Sequence, residues 1–145
     1  ATVIRIGNLS QPIYHPSLDY IGKVLWRFDA GRHTPMFPDQ RVTLTDMSDL
    51  TQSILKIVNY GIHGIFHVAS NDSVTPFELA EYLLQMARPS KNYQVEPGNI
   101  DDYLRSFPNR YPKYGGLRSQ FTQNELGLNF KDWREMVNNF VKKAL

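Results

Sequence analysis

The sequence predicts an α/β protein, and within that class the end of a doubly wound parallel sheet. Segments 2–6 and 64–70 are rich in β-branched and aromatic residues, which is typical of buried strands. Amphipathic helical stretches alternate with these strands, and that alternation is the order that α/β folds share. Two long strands and one short strand are too few for a complete sheet. We therefore expect few parallel strands with packed helices and no complete dinucleotide-binding half.

Composition and charge exclude several classes of function. The chain has 145 residues, 41% hydrophobic and 21% charged, an ordinary balance for one globular domain. It lacks cysteine, which excludes disulfides, thiolate metal sites and a cysteine nucleophile. The basic residues behind the net charge of +2 are scattered, so no nucleic-acid surface is indicated. No apolar run reaches the ~18 residues of a membrane span and no signal peptide is visible, so we expect a cytoplasmic protein without membrane contact.

We expect residues 1–145 to form one domain with two parts. Residues 1–70 are interpreted as the end of the sheet with an inserted helix, and residues 71–145 as a C-terminal helical lobe. The periodicity of the first part predicts, in order, a strand at 2–6, a loop from Gly7-Asn8, a helix over 17–29, a loop, a short strand at 41–44 and a helix over 47–58 that Gly61 ends.

The second part opens, after the strand at 64–70, with a clear helix start. Thr75 is a cap, Pro76 takes the first helical position and Glu78 completes a capping box. Val74 and Leu79 stand where a hydrophobic staple would pack. The further predictions are a short strand at 93–97, a second capping box at 122–127 and a last helix whose apolar face is Trp133, Met136, Val137, Phe140 and Val141.

Four segments carry a family resemblance: "VIRIGNLSQP" at 3–12, "DQRVTLTDMSDL" at 39–50, "GIFHVASNDSVTPFELAEYL" at 64–83 and "YPKYGGLRSQFTQNELGL" at 111–128. In order and spacing they resemble the C-terminal, substrate-binding half of extended short-chain dehydrogenases, the NAD-dependent epimerase/dehydratase family. The nearest branch is dTDP-4-dehydrorhamnose reductase. The resemblance implies a Rossmann-like fold, a nucleotide-sugar substrate, and NAD or NADP as the cofactor of the intact protein.

The last of these segments departs from the pattern of that family. Tyr111 stands where arginine is usual, Gly115 where serine is usual, and Arg118 where aspartate is usual. Phe121 replaces a lysine, and in the second segment Leu44 replaces a proline. These differences fit a divergent enzyme and a non-catalytic relative equally well.

The residues that such enzymes use for hydride transfer are not found in this sequence. The family uses a tyrosine with a lysine four residues on, and none of the seven lysines here follows a tyrosine at that spacing. The glycine fingerprint that holds a pyrophosphate is also absent, because Gly61-x-x-Gly64 has no third glycine. We therefore predict no catalytic and no cofactor-binding residues, and we expect a separate N-terminal Rossmann half to supply both.

Five residues are candidate substrate contacts: Asn8, Asp39, Gln40, Thr45 and Tyr111. Asn8 follows a strand and suits either a sugar or phosphate contact or the cap of a turn. Asp39 and Gln40 match the family signature and form either a pocket wall or an ordinary polar loop. Thr45 offers a hydroxyl at a strand end, where α/β folds place ligands.

Tyr111 belongs to a cluster with Tyr103 and Tyr114 that suits either stacking on a base or sugar or a packed surface loop. We interpret Asp46 as a cap for the helix that holds the wall of residues 39–45. His63 and His67 have a ligand-like spacing, but Gly64 and strand-like residues separate them, so no metal site is predicted.

Two other functional classes remain open at this stage. The segments "RIGNLS" and "RSQFTQNELGL" also resemble the end of an assembly-line thioester reductase that releases a peptide or polyketide. A regulatory member of the same fold without catalysis is the other alternative. An upstream tyrosine–lysine pair, a carrier-protein domain, or a glycine fingerprint without the pair would distinguish the three.

The first prediction concerns the cofactor. Because the fingerprint and the tyrosine–lysine pair are absent, the 145-residue chain should bind neither NADH nor NADPH and turn over neither. Isothermal titration with both nucleotides tests this expectation, and saturable micromolar binding would contradict it.

Overall fold

A computed structural model describes residues 1–145 and contains ten helices and strands. In chain order they are β1 (Thr2–Ile6), β2 (Asn8–Ser10), α1 (Tyr20–Asp29), β3 (Leu44–Asp46), α2 (Met47–Tyr60), β4 (Gly64–Val68), α3 (Pro76–Ala87), α4 (Ile100–Ser106), α5 (Gln120–Leu126) and α6 (Trp133–Ala144).

All strand pairing between these elements is parallel, as the sequence predicts. β1 pairs with β4 from Thr2 opposite Gly64 to Ile6 opposite Val68. β2 pairs with β3 in a second two-stranded sheet, with Leu9 opposite Thr45. The α/β class with few parallel strands and packed helices is confirmed.

The ends of the helices follow the local signals in the sequence. The Thr75 hydroxyl accepts from the Glu78 N–H at 3.1 Å, and the Glu78 carboxylate accepts from the Thr75 N–H at 3.3 Å, so the capping box is confirmed. Asp46 caps α2, as predicted, by accepting from the Asp49 N–H at 3.1 Å. Gly61 ends α2 in the left-handed conformation, at φ 60°, which a residue with a side chain adopts only at a cost.

The main core joins both parts of the chain. Fifteen buried apolar residues from α1, α3, α6 and the segment around Val42 form one cluster, in which Ile21, Leu25, Leu83 and Phe140 are fully buried. A smaller cluster of Ile57, Phe66 and Leu126 joins α2, β4 and α5. The division into residues 1–70 and 71–145 stays a prediction, since α1 of the first part packs on α3 and α6 of the second.

Three element predictions are wrong. Residues 93–97 form no strand; only Pro97 bridges to Met36, and a proline has no N–H for a ladder. The box at 122–127 is absent because α5 already begins at Gln120, and the buried Thr122 hydroxyl instead accepts from the His67 N–H at 2.8 Å. The strand predicted at 41–44 lies at Leu44–Asp46, and residues 41 and 42 form isolated bridges.

Two elements were missed. Asn8, assigned to a loop, begins β2, because its N–H donates to the Thr43 carbonyl at 3.0 Å and pairs the chain with the segment before β3. Helix α4 lies inside residues 88–118, a stretch rich in proline and tyrosine. The Asn99 side chain caps this helix by accepting from the Asp102 N–H at 3.0 Å. None of the helices is long and apolar enough to cross a membrane.

One face of the β1–β4 sheet is partly apolar and largely uncovered. Ile4 and Phe66 point toward α2 and α5, whereas Val3 and Ile65, which pair on the other face, are 46% and 53% exposed. The outer edge of β1 is also free to pair with another chain. We therefore predict that the isolated chain dimerises, or melts at a lower temperature than any longer protein that contains it.

Sedimentation and thermal melting test this expectation. Val3→Thr with Ile65→Thr should weaken self-association, because threonine keeps the strand preference while it removes apolar surface. A strictly monomeric chain that also melts at the same temperature as the longer protein would contradict the prediction.

Candidate functional site

The larger cavity of the structure has a volume of about 880 Å³ and lies beyond the carboxyl end of β1. Ile6, Gly7 and Asn8 form its floor where the chain passes from β1 to β2. One wall is the flank of α1, and the loop of residues 33–37 forms another. Parallel α/β folds place ligands at this end of their strands, so position alone makes the cavity the candidate site.

The charge of this cavity is of one sign. Lys23, Arg27 and Arg110 line it together with His33, and no carboxylate side chain does. Lys23 and Arg27 are four residues apart on α1, so both lie on the same flank of the helix. Cations without nearby carboxylates favour an anionic ligand, and guanidinium groups suit phosphate oxygens in particular.

Aromatic rings line a second side of the cavity. The Tyr103 and Tyr111 rings are stacked, with centroids 5.7 Å apart and planes 21° apart. Phe37 packs against Tyr103 at 5.4 Å, and the Arg110 guanidinium lies 5.8 Å from the centre of the Tyr111 ring. Tyr111 keeps part of its surface exposed, which suits the flat face of a base or a sugar.

Tyr20, at the start of α1, is a neutral hydroxyl in this cavity. Burial, with a smaller contribution from the nearby Tyr111 phenol, raises the pKa of Tyr20 to about 12. It therefore remains protonated at neutral pH, where it can donate one hydrogen bond and accept others.

Three of the five candidate contacts meet at the cavity. Asn8, Gln40 and Tyr111 all line it, although they are far apart in the sequence. The Gln40 side chain is buried, and its amide nitrogen donates to the Pro112 carbonyl at 3.1 Å. That bond joins the loop that carries Gln40 to the loop that carries Tyr111.

The other two candidates, Asp39 and Thr45, do not line the cavity. Both oxygens of Asp39 accept from the Ile100 N–H at 3.1 Å, so this carboxylate holds the first turn of α4. Thr45 is fully buried; its hydroxyl donates to the Val68 carbonyl at 2.6 Å and accepts from the Gly7 N–H at 2.7 Å. Both residues hold the elements that form the cavity.

Residues 40–43 and 112–117 together form a wall that we call the partition. The Arg41 N–H donates to the Lys113 carbonyl at 2.9 Å, and the Gly115 N–H donates to the Arg41 carbonyl at 2.9 Å. Gln40 and Val42 face the larger cavity, whereas Arg41 between them lines a second cavity. These three residues alternate as in an extended chain, whose successive side chains point to opposite faces, whereas Thr43 lines the larger cavity as Val42 does.

A partly buried ionic cluster supports the start of α2. The Lys131 ammonium lies 3.1 Å from an Asp46 oxygen and 3.3 Å from an Asp49 oxygen. Burial opposes ionisation of Asp46, but hydrogen bonds from Ser48 and Lys131 outweigh it and lower the pKa of this carboxyl. For Asp49 burial dominates and raises the pKa. These carboxylates serve the structure, as predicted for Asp46.

Sequence reasoning missed the cations of the site, although it singled out the tyrosine cluster of Tyr103 and Tyr111. Lys23 and Arg27 border the apolar stripe of α1, and their spacing of four was a usable signal for a basic helix flank. Arg110 lines the cavity from the turn after α4, a helix that was not predicted.

Fold and cavity together define a class: an α/β domain of parallel strands with a basic, aromatic-lined cavity at their carboxyl ends. The family described as the RmlD substrate binding domain matches residues 2–145. The chain belongs to this family, and the resemblance to dTDP-4-dehydrorhamnose reductases is thereby confirmed.

Solved structures share the fold across almost the whole chain. A dTDP-4-dehydrorhamnose reductase from Clostridium acetobutylicum is 19% identical with a TM-score of 0.77, over 97% of this chain and 48% of that one. The Bordetella bronchiseptica enzyme WbmG, solved with NAD and UDP, is 20% identical with a TM-score of 0.68, over 96% of this chain and 42% of that one.

Among curated proteins, the probable low-salt glycan biosynthesis reductase Agl14 of Haloferax volcanii is 31% identical over 71 residues. The match covers 47% of this chain and 24% of that protein. The chain thus spans about half the length of the solved structures and a smaller share of the curated relative.

Asp19 fixes the helix flank that carries Tyr20, Lys23 and Arg27. It caps α1 by accepting from the Ile21 N–H at 3.1 Å, and it is 2% exposed. Burial raises the pKa of this carboxyl from 3.8 to about 6, even though backbone N–H groups bond to it. At a pH between these two pKa values, Asp19 is protonated in the native state and ionised in the unfolded state.

Asp19 therefore stabilises the fold less as the pH rises from about 4 to about 6, and the loss is complete near pH 7. A shift of this size corresponds to at most about 3 kcal/mol. We predict that Asp19→Asn, which keeps a capping oxygen, removes this part of the pH dependence. Urea unfolding at pH 5 and pH 7 measures the free energy of unfolding of the original protein and of Asp19→Asn. If this free energy changed by the same amount between the two pH values in both proteins, the assignment would be refuted.

Proposed function

We propose that this chain forms the nucleotide-sugar pocket of an NAD(P)-dependent reductase or epimerase related to dTDP-4-dehydrorhamnose reductase. The observation that carries the proposal is the larger cavity, which combines three cations, stacked rings and no carboxylate. A nucleotide sugar offers the matching groups: a diphosphate for the cations and flat rings for the aromatic side.

Each group of lining residues has a role in this proposal. Lys23, Arg27 and Arg110 neutralise the diphosphate, because guanidinium and ammonium groups bind phosphate oxygens by charge-assisted hydrogen bonds. Tyr111 stacks on the base or the sugar. Asn8 and Gln40 carry amides that both donate and accept, which suits sugar hydroxyls or the edge of a pyrimidine.

The residues of this chain do not fit a dinucleotide. Gly61 ends α2 and Gly64 begins β4, so these glycines join a helix to a strand. A pyrophosphate fingerprint needs the opposite order, a strand, a glycine turn and then the amino end of a helix. In the proposal, NAD or NADP is held by an N-terminal Rossmann half of a longer protein, and that half also supplies the catalytic tyrosine and lysine.

The proposal predicts that UDP or dTDP binds to the larger cavity. Arg27→Gln should weaken binding, because it removes a phosphate contact from an exposed helix flank without removing packing. Gln40→Ala should weaken binding by about 1 kcal/mol, the free energy of a lost hydrogen bond. Isothermal titration of the protein with each nucleoside diphosphate measures these changes.

Asp46→Ala provides the matched control. It removes the cap of α2, so it should cost roughly 1 kcal/mol of stability in chemical unfolding. The dissociation constant for UDP or dTDP should remain nearly unchanged, because Asp46 does not line the cavity. The proposed pocket would be rejected if neither UDP nor dTDP bound. It would also be rejected if both Arg27→Gln and Gln40→Ala bound them with unchanged affinity.

A further inference from the structure

A second cavity, of about 500 Å³, lies on the opposite side of the partition from the larger one. Arg41 and Ser73 line one side of it, and residues 116–120 line the other. The two cavities share no lining residue, and Arg41 lines the second one while its neighbours Gln40 and Val42 line the larger one. The second cavity is therefore a separate site from the pocket proposed above.

Two arginines give this cavity its charge, and no carboxylate lines it. The Arg41 guanidinium is held in place, since its Nε donates to the Ser73 hydroxyl at 3.0 Å and its Nη2 to the Ser73 carbonyl at 3.2 Å. Its Nη1 lies 3.7 Å from a Glu78 oxygen, but both side chains are about half exposed, so this pair neutralises it weakly.

Arg118 is anchored by its backbone and not by its side chain. The Arg118 carbonyl contacts the His67 ring at 3.2 Å, while the residue is exposed, lines the cavity and makes no hydrogen bond or ion pair through its guanidinium. A guanidinium has five N–H donors in a planar fork that fits a phosphate oxygen pair. Arg118 thus brings unused donors to a site where Arg41 is already oriented.

Two serine hydroxyls add neutral donors between the arginines. Ser119 is 4% exposed, and its hydroxyl oxygen accepts from the Gln123 amide at 3.1 Å, which leaves its own proton to donate. The Ser73 hydroxyl likewise accepts from Arg41 and keeps its proton. A buried donor directed at a basic cavity is what an oxyanion requires.

We propose that the second cavity binds the phosphate group of a small phosphorylated ligand. Arg41, Arg118, Ser73 and Ser119 contact the phosphate oxygens. Tyr114, which lines the same cavity and is 76% exposed, packs against the carbon part of the ligand. The proposal is independent of the nucleotide-sugar pocket, because it uses none of the residues that line the larger cavity.

Nuclear magnetic resonance titration with inorganic phosphate and with phenyl phosphate tests the proposal. The amide signals of Gly116 and Ser119 should shift saturably with either probe. Arg118→Gln should weaken both affinities about tenfold or more, the effect of losing a hydrogen bond between charged groups. Arg27→Gln, in the larger cavity, is the matched control and should leave these shifts unchanged.

Phenyl phosphate should bind more tightly than inorganic phosphate, and Tyr114→Ala should remove only that difference. The absence of saturable shifts at Gly116 and Ser119, or equal affinities for the original protein and Arg118→Gln, would overturn the phosphate site. Equal binding of the two probes would overturn the role of Tyr114. Loss of binding in Arg27→Gln instead would place the phosphate in the larger cavity.

Discussion

The hydroxyl of Thr45 joins the two parallel sheets, and the rest of the structure depends on that junction. It donates to the carbonyl that ends β4 and accepts from Gly7 between β1 and β2, so one buried group joins three strands. Gly7 is needed there because a Cβ at this position would lie 2.3 Å from the Thr43 carbonyl oxygen. A buried hydroxyl without these partners would cost stability, which makes the junction specific as well as stable.

Both cavities follow from this junction. Residues 40–42 precede Thr43 as an extended segment, and residues 112–117 form hydrogen bonds to that segment and to Thr43. Within residues 40–42 successive side chains point to opposite faces, so they reach different cavities. One short stretch thereby contributes Gln40 to a basic, aromatic-lined pocket and Arg41 to a second basic one. Loops carry the ligand-facing groups and the parallel strands hold them in position, as in α/β folds generally.

Local sequence signals predicted those parts of the fold that local physics determines. The capping box at Thr75, the cap at Asp46 and the left-handed glycine at 61 each need only residues within one helical turn. The signals failed where a distant residue supplied the partner. Thr122 has the spacing of a cap, yet the N–H that it accepts from belongs to His67. Asp39 matched a pocket signature, yet the N–H that it accepts from belongs to Ile100, which begins a helix 61 residues further along the chain.

The sequence by itself determined the α/β class, the parallel pairing of β1 with β4, the small number of strands and the membership in the family of the RmlD substrate binding domain. Periodicity and the order of motifs are properties of the linear sequence, so they do not need the tertiary structure. Only the tertiary structure decided which polar residues face a cavity. Asn8, Gln40 and Tyr111 do, Asp39 and Thr45 do not, and Lys23, Arg27 and Arg110 join them from elements with no shared motif. The reason is that a side chain's direction depends on the hydrogen bonds its backbone makes to distant segments, and a linear pattern does not contain those partners.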